Sequence, residues 1–193
     1  MNAPADFPIK ALPAGYYTDP AVHVRAIERI FRRSWQYVCH ASQLPENGDY
    51  LAFDLLGDDL FVIRGRDGAL RCFFNVCQHR ANPLVEGTGR IRVLVCPYHA
   101  WSYELDGHLR AAPGSKDTPG FDRARICLTE VRLEVVLGFV FVNLDPEAAA
   151  MAETYPGVAE AVLAHCPDIG SRAFAHEHSA QEFCNWLVAV ENY

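Results

Sequence analysis

Two short motifs, Cys-x-His at residues 77–79 and Cys-x2-His at residues 96–99, constrain the fold of this chain more than any other feature. Each motif follows directly on a run of apolar and β-branched residues that predicts a strand, so each places a thiol and an imidazole in a loop at a strand end. Sixteen residues separate the two motifs. If the four side chains share one task, the fold must bring two matched loops together.

The ligand set Cys77, His79, Cys96 and His99 fits two kinds of metal site. In a [2Fe-2S] cluster, two imidazoles can replace two thiolates on one iron, which raises the reduction potential to about −150 to +300 mV. The short spacings let each loop send its cysteine to one iron and its histidine to the other. Cys2His2 is also a zinc set, but zinc fingers usually pair cysteine with cysteine and histidine with histidine. The mixed motifs favour the cluster, and zinc stays the alternative.

Between residues 36 and 144, short β-branched and aromatic runs alternate with Gly, Asn and Asp turn signals, which predicts a mostly antiparallel β domain. The connections are too short for the crossover helices of a parallel sheet. Residues 111–122 are rich in Gly, Pro and Ser and predict a surface loop. The predicted strands are 36–39, 49–55, 59–64, 69–75, 91–95, 101–105, 131–136 and 139–143.

The flanking segments differ from the β region. Asp19-Pro20 predicts the start of a helix over residues 20–34, whose apolar face would be Val24, Ile27, Phe31 and Trp35. After residue 145 an alanine-rich stretch predicts short helices broken at two prolines, 156 and 167, followed by an extended segment over 172–185. There, the histidines at 176 and 178 would share the solvated face of a strand. We expect three parts: an N-terminal arm and helix (1–35), the β domain (36–145) and a further segment (146–193).

Composition excludes several classes of function. Half of the residues are hydrophobic, so the chain can bury a core, and the balance of 17 Lys and Arg against 24 Asp and Glu, a formal charge of −7, argues against a nucleic-acid partner. No apolar run has the length of a membrane span and no signal peptide is evident, so we expect no membrane partner and a cytoplasmic location. The remaining five cysteines are predicted to be structural: Cys39, Cys72, Cys127 and Cys184 as small buried hydrophobic residues, and Cys166 because no partner pair stands at ligand spacing.

The segment CQHRANPLVEGTGRIRVLVCPYHAWSYELDG resembles the cluster-binding region of the large (alpha, terminal oxygenase) subunit of Rieske non-haem iron oxygenases. FRRSWQYVCHASQLPENGDY, GFVFVNLDP and NWLVAVENY resemble the same family, so the likeness covers most of the chain. The implied fold is mainly β: a Rieske [2Fe-2S] antiparallel β domain with two cluster-binding loops. An N-terminal helix and a C-terminal α+β segment, the start of a truncated catalytic domain, would flank it.

The resemblance also implies roles for individual residues. Cys77 and Cys96 would bind the outer ferric iron, and His79 and His99 the iron that is reduced, with Arg80 and Trp101 beside the cluster. The ligands of the catalytic mononuclear Fe(II) would lie only in the missing C-terminal domain, and no catalytic residue is assigned in this chain. The histidine at 99 would be the one that passes electrons on.

The implied activity is hydroxylation or N-demethylation of a small organic substrate with O2. Electrons would come from an NAD(P)H-dependent flavin and iron-sulfur reductase, directly or through a ferredoxin, and the complete protein would be a homotrimer. VCQHRANPL and AVENY resemble members that act on choline, glycine betaine or carnitine. The choice between aromatic and quaternary-amine substrates, and between mono- and dioxygenation, stays open. The alternative is a stand-alone Rieske-type ferredoxin that acts as an electron carrier.

Overall fold

The computed structural model, which describes residues 12–115 and 118–192, is built around antiparallel strands. The first eleven residues of the predicted N-terminal arm, residues 116 and 117 of the predicted surface loop, and residue 193 lie outside the described residues. The strands of the described chain are β1 (Gln36–His40), β2 (Asp49–Leu55), β3 (Asp58–Arg64), β4 (Leu70–Phe74), β5 (Thr88–Arg90), β6 (Leu94–Val95), β7 (Ser102–Tyr103), β8 (Leu109–Ala111), β9 (Glu130–Val136) and β10 (Phe139–Asn143).

The strands form two sheets. The larger has the order β1-β10-β9-β4-β3-β2-β5, and the smaller has the order β6-β7-β8. The fold class predicted from the sequence, a mainly β antiparallel domain, is confirmed. Residues 91–93 of the predicted strand 91–95 lie outside β6, and the short strands β5 and β8 were not predicted, because a few polar residues carry little periodic signal.

The large sheet buries side chains on both faces. On β3, Phe61 and Ile63 point into one apolar core while Leu60 and Val62 point into the other, and all four are fully buried. Because successive side chains of a strand face opposite sides, a strand between two cores needs an uninterrupted apolar run. The first core also includes residues of the small sheet, so it joins the two sheets beneath the loops that carry the Cys and His motifs.

Five helices flank the sheets in the described residues: α1 (Gly15–Thr18), α2 (Pro20–Arg29), α3 (Met151–Thr154), α4 (Val158–His165) and α5 (Trp186–Glu191). As predicted, Asp19 caps α2, and its carboxylate accepts a 2.8 Å hydrogen bond from the Ala21 backbone N–H. The predicted apolar face was wrong in part: Trp35 is buried and Ile27 and Phe31 are half-buried, but Phe31 and Trp35 lie beyond the helix. The helix ends at residue 29, Val24 is exposed, and Ala26 is the buried residue of α2.

The C-terminal part begins as the sequence predicts and then departs from it. Helix α3 ends before the predicted break at Pro156, and α4 lies between Pro156 and the second predicted break at Pro167. The strand predicted within 172–185 is wrong, because none of these residues pairs with a neighbouring strand. They are almost all exposed, and one backbone contact, from the Phe174 N–H to Ser42 Oγ at 2.9 Å, fastens the segment to the β domain. None of the described helices has the length and apolar character needed to cross a membrane.

Candidate metal centre

The two Cys and His motifs occupy loops with nearly the same backbone. In the first loop, residues 77–82, the Cys77 N–H donates to the Asn82 carbonyl at 3.0 Å, and the N–H of residue 81 donates to the Cys77 carbonyl at 2.9 Å. In the second loop, residues 96–101, the matching bonds are 2.8 Å from Cys96 to the Trp101 carbonyl and 3.0 Å from residue 100 to the Cys96 carbonyl. Each loop therefore closes around its own cysteine.

The residue before the end of each loop has a left-handed backbone. Ala81 has φ 55° and Ala100 has φ 57°, a region that residues with a Cβ rarely adopt. For an L-residue this conformation costs about 1–2 kcal/mol relative to the right-handed one. The shared strain shows that the closing hydrogen bonds and the packing beneath fix both loops in one conformation.

The four predicted ligands come together at the tips of these loops. Cys77 and Cys96 are each 2% exposed, and the imidazole rings of His79 and His99 meet edge to face with their centroids 4.8 Å apart. The Nδ1 atoms of both histidines are buried and have no hydrogen-bond partner among the described residues. A buried imidazole nitrogen without a partner is costly, and a metal ion would satisfy it.

The donor set therefore fits a cluster. Two thiols and two Nδ1 atoms provide the ligands that a Rieske-type [2Fe-2S] centre needs, two for each iron. Desolvation, followed by the neighbouring His79 and Arg80, lowers the pKa of His99, which favours the neutral imidazole that binds metals. In the parts of the chain that are described, no three His, Cys, Asp or Glu side chains are grouped as a site for a single ion.

Tyr103 contacts the first loop from β7, a role that the sequence did not reveal. Its hydroxyl lies 3.2 Å from Cys77 Sγ and accepts a 3.0 Å hydrogen bond from the Gln78 backbone N–H. Burial, followed by the bond to Cys77, raises the pKa of Tyr103 well above its usual value, so the hydroxyl keeps its proton and donates it towards the sulfur. The alternation of Trp101, Tyr103 and Leu105 on one face was the signal available in the sequence.

Aromatic rings cover the two histidines unequally. Trp101 stacks on His79 with a centroid distance of 4.8 Å and an angle of 10°, and Phe121 packs edge-on against the indole. His99 has Tyr98 beside it at 3.8 Å, but that tyrosine is itself 57% exposed. Both histidines are half-buried, so what differs between them is the neighbouring ring, which is buried for His79 and exposed for His99.

The other cysteines and histidines lie elsewhere. Cys39 and Cys72 are buried as predicted, and burial raises the pKa of both thiols, that of Cys39 to about 11. The expectation of burial was wrong for Cys127 and Cys184, which are exposed, and Cys166 is half-buried. The two histidines of the 172–185 segment are exposed and belong to no strand.

Comparisons with known proteins place these loops in a family. Residues 34–122 match the Rieske [2Fe-2S] domain. The carnitine monooxygenase oxygenase subunit of Escherichia coli (strain K12) is 38% identical over 183 residues, a match that covers 94% of this chain and 49% of that protein. Choline monooxygenase, chloroplastic, of Beta vulgaris is 35% identical, covering 94% and 41%. The chain thus spans about half the length of the curated relatives it matches.

Solved structures give the same result. The quaternary ammonium Rieske monooxygenase CntA in complex with L-carnitine superposes with a TM-score of 0.88 and 36% identity, covering 94% of this chain and 52% of that one. Naphthalene 1,2-dioxygenase from Rhodococcus sp. has a TM-score of 0.74 and 30% identity, covering 78% and 35%. The likeness to CntA therefore extends through the helices on either side of the β domain.

Proposed function

The chain carries a Rieske [2Fe-2S] domain and is homologous to the oxygenase subunits of Rieske non-haem iron oxygenases, and from this premise we propose that it is the electron-transfer portion of an oxygenase acting on a quaternary amine. The observation that carries the proposal is the meeting of two buried thiols and two unpartnered Nδ1 atoms on matched loops. When bound, the cluster supplies reversible one-electron transfer.

In this proposal each residue of the site has a separate role. Cys77, His79, Cys96 and His99 hold the cluster, and Tyr103 donates a hydrogen bond to Cys77 Sγ. Trp101 excludes water from the His79 ring by stacking on it. His99 would be the ligand that passes electrons on, because its aromatic neighbour Tyr98 is exposed, whereas Trp101, the neighbour of His79, is buried.

The substrate and partners are proposed from the relatives. Their names specify carnitine, choline and glycine betaine, so we propose that the complete protein hydroxylates or N-demethylates a quaternary ammonium compound with O2. A reductase that uses NAD(P)H would supply electrons, directly or through a ferredoxin, to a homotrimer. Homologues hold their mononuclear iron in a catalytic domain, and we propose that residues 146–193 begin that domain. In support, the match to the relatives covers 94% of the chain and so extends well past residue 122, where the match to the Rieske family ends.

A test of the proposal removes single ligands and measures the metal content of the purified chain. We expect two irons and two acid-labile sulfides per chain in the parent protein and almost none in Cys77→Ser or Cys96→Ser, because the hydroxyl is a poor ligand for iron. Cys72→Ala is the matched control, since this buried cysteine lies in the other core. Full iron content in the ligand variants, or one zinc and no sulfide in the parent protein, would contradict the proposal.

A second candidate is the stand-alone ferredoxin, favoured by the presence of all four ligands within the described residues. A carrier gives its electron to a separate protein in solution. The reduced chain would then be oxidised faster when a separate quaternary-amine oxygenase is added than in its absence. The oxygenase proposal expects the two rates to be equal.

A further inference from the structure

Asn75, two residues before the first loop, makes more side-chain hydrogen bonds than any ligand residue does. Its Oδ1 accepts from the backbone N–H groups of Leu84 at 2.8 Å and Val85 at 3.2 Å. Its Nδ2 donates to the Val85 carbonyl at 2.7 Å and to the Asp59 carboxylate at 3.0 Å. The side chain is buried, with 2% of the residue exposed, and both donors and both acceptor positions of the amide are used.

These bonds join the chain segments on either side of the first loop. Residue 75 precedes the first loop, residues 84 and 85 follow it, and both of the latter are buried in the core beneath the site. The Asn75 backbone N–H also donates to the Asp59 carbonyl at 2.8 Å, which fixes this point to the start of β3. The amide therefore closes the base of the segment that carries the first Cys and His pair.

The second loop is held in a different way. Its flanking strands β6 and β7 pair with each other directly, through Leu94 with Tyr103 and Val95 with Ser102. The strands that flank the first loop do not pair with each other: β4 pairs with β3 and β9, whereas β5 pairs with β2. Backbone pairing thus closes the second loop, and the first lacks that support.

We propose that Asn75 is a positioning residue that clamps the first loop in its ligand-presenting conformation before the cluster is bound. The proposal rests on the proposed function, because it assigns Asn75 a role only if Cys77 and His79 hold the cluster. Leucine would fill the space without bonding, and aspartate could accept but not donate, so an amide is the group that satisfies all four partners. Preorganised ligands keep their geometry because supporting residues fix them.

The test compares Asn75→Ala with Asn143→Ala in the 193-residue chain. Asn143 is also buried, at 1% exposed, and its amide bonds the Arg33 carbonyl at 3.3 Å and the Asp145 N–H at 3.0 Å, away from both loops. In Asn75→Ala we expect amide exchange at residues 84 and 85 to quicken on the order of tenfold, as the loss of buried hydrogen bonds predicts. Exchange at Ala100 in the second loop should stay unchanged.

The loaded protein gives an independent readout. We expect Asn75→Ala to lose its cluster on the order of tenfold faster and to broaden the EPR lines of the reduced state, because the first loop would sample several positions. Asn143→Ala should keep the parent line shape even if it lowers stability. Equal amide exchange, cluster lifetime and line shape in the two variants would overturn the clamp.

If Asn75→Ala does not fold, a pair of variants that exchanges the amide and the carboxylate of Asn75 and Asp59 tests the same contact. Asn75→Asp places a second carboxylate beside Asp59, and adding Asp59→Asn restores a donor and acceptor pair at the same place. We expect the double variant to hold its cluster longer than Asn75→Asp, whereas no recovery would count against the clamp. If the parent chain binds no cluster at all, the proposed function fails, and unchanged amide exchange in the apoprotein overturns the clamp separately.

Discussion

Cys77 is the ligand whose surroundings are best defined, because its sulfur has a hydroxyl donor 3.2 Å away. A hydrogen bond to a cluster sulfur stabilises the reduced state, which carries more negative charge, and so raises the reduction potential. Tyr103 is held in this position by the Gln78 N–H and by burial in the core. The potential of the bound cluster is therefore expected to depend on one tyrosine hydroxyl.

The first prediction is that Tyr103→Phe lowers the midpoint potential of the cluster by tens of millivolts, on the scale of about 59 mV for a tenfold change in a one-electron equilibrium. Redox titration followed by EPR measures it. Tyr50→Phe is the control, because Tyr50 packs against the same core but its hydroxyl bonds the Glu86 carbonyl at 3.4 Å. Equal potentials in the parent and Tyr103→Phe proteins would show that the hydroxyl does not act on the sulfur.

The sequence pointed to the four proposed metal ligands but not to the residues that contact them. Cysteine and histidine carry their chemistry in their identity and their spacing. Tyr103 contacts residues 25 and 26 positions away, and Asn75 contacts residues 9 to 16 positions away. No spacing rule predicts such contacts. Their positions depend on how the small sheet and the start of β3 pack around the first loop.

At the scale of elements, each of the two loops has an alanine in the left-handed backbone conformation, which glycine adopts with less strain. We predict that Ala100→Gly raises the free energy of unfolding of the apoprotein by up to about 1 kcal/mol, since relief of the Cβ strain exceeds the entropic cost of glycine. Chemical denaturation measures it. Ala26→Gly, in the interior of α2, should lower the same quantity by about 1 kcal/mol. If Ala100→Gly lowered the free energy of unfolding as Ala26→Gly does, the proposed backbone strain at Ala100 would be contradicted.

The edge of the large sheet depends on an ion pair. Asp49 on β2 accepts from Arg90 Nε on β5 at 2.6 Å, and this bond lowers the pKa of the Asp49 carboxyl. A carboxyl whose pKa is lower in the folded state adds stability above its unfolded pKa, and that stability is lost as pH falls through the folded value.

We therefore predict that Asp49→Asn lowers the free energy of unfolding by about 1 kcal/mol at pH 7, a value kept small by solvent around Arg90. The difference between the variant and the parent should shrink as pH falls below the usual carboxyl range, as measured by urea denaturation at several pH values. If the difference in the free energy of unfolding between Asp49→Asn and the parent stayed constant with pH, the destabilisation would come from packing and not from the charge of Asp49.

Long apolar strands were predicted from sequence within one or two residues, because two cores impose a strict pattern on them. The failures occur where tertiary contacts override local pattern. Helix α2 turns Ala26 inward instead of Val24, and residues 172–185 have no partner strand. The short strand β5 forms because it pairs with β2, and the strand propensity of its three residues does not predict it.

For the whole molecule, one core supports the metal centre and the other holds the sheet together. The first contains the cysteine ligands and Trp101, so the site is part of the packed interior and not an addition to its surface. The match to CntA over 94% of the chain shows that this arrangement recurs in a relative, together with the flanking helices. The central claim is that two histidines and two cysteines hold one [2Fe-2S] cluster in this interior.

Pulsed EPR of the dithionite-reduced chain, prepared with 15N-labelled histidine, tests that claim most directly. The account predicts two histidine nitrogens strongly coupled to the reduced cluster, one of which disappears in a variant lacking His79 or His99 if the cluster persists. A signal without coupled nitrogen would indicate an all-thiolate cluster. No signal from a protein that contains zinc would contradict the account altogether.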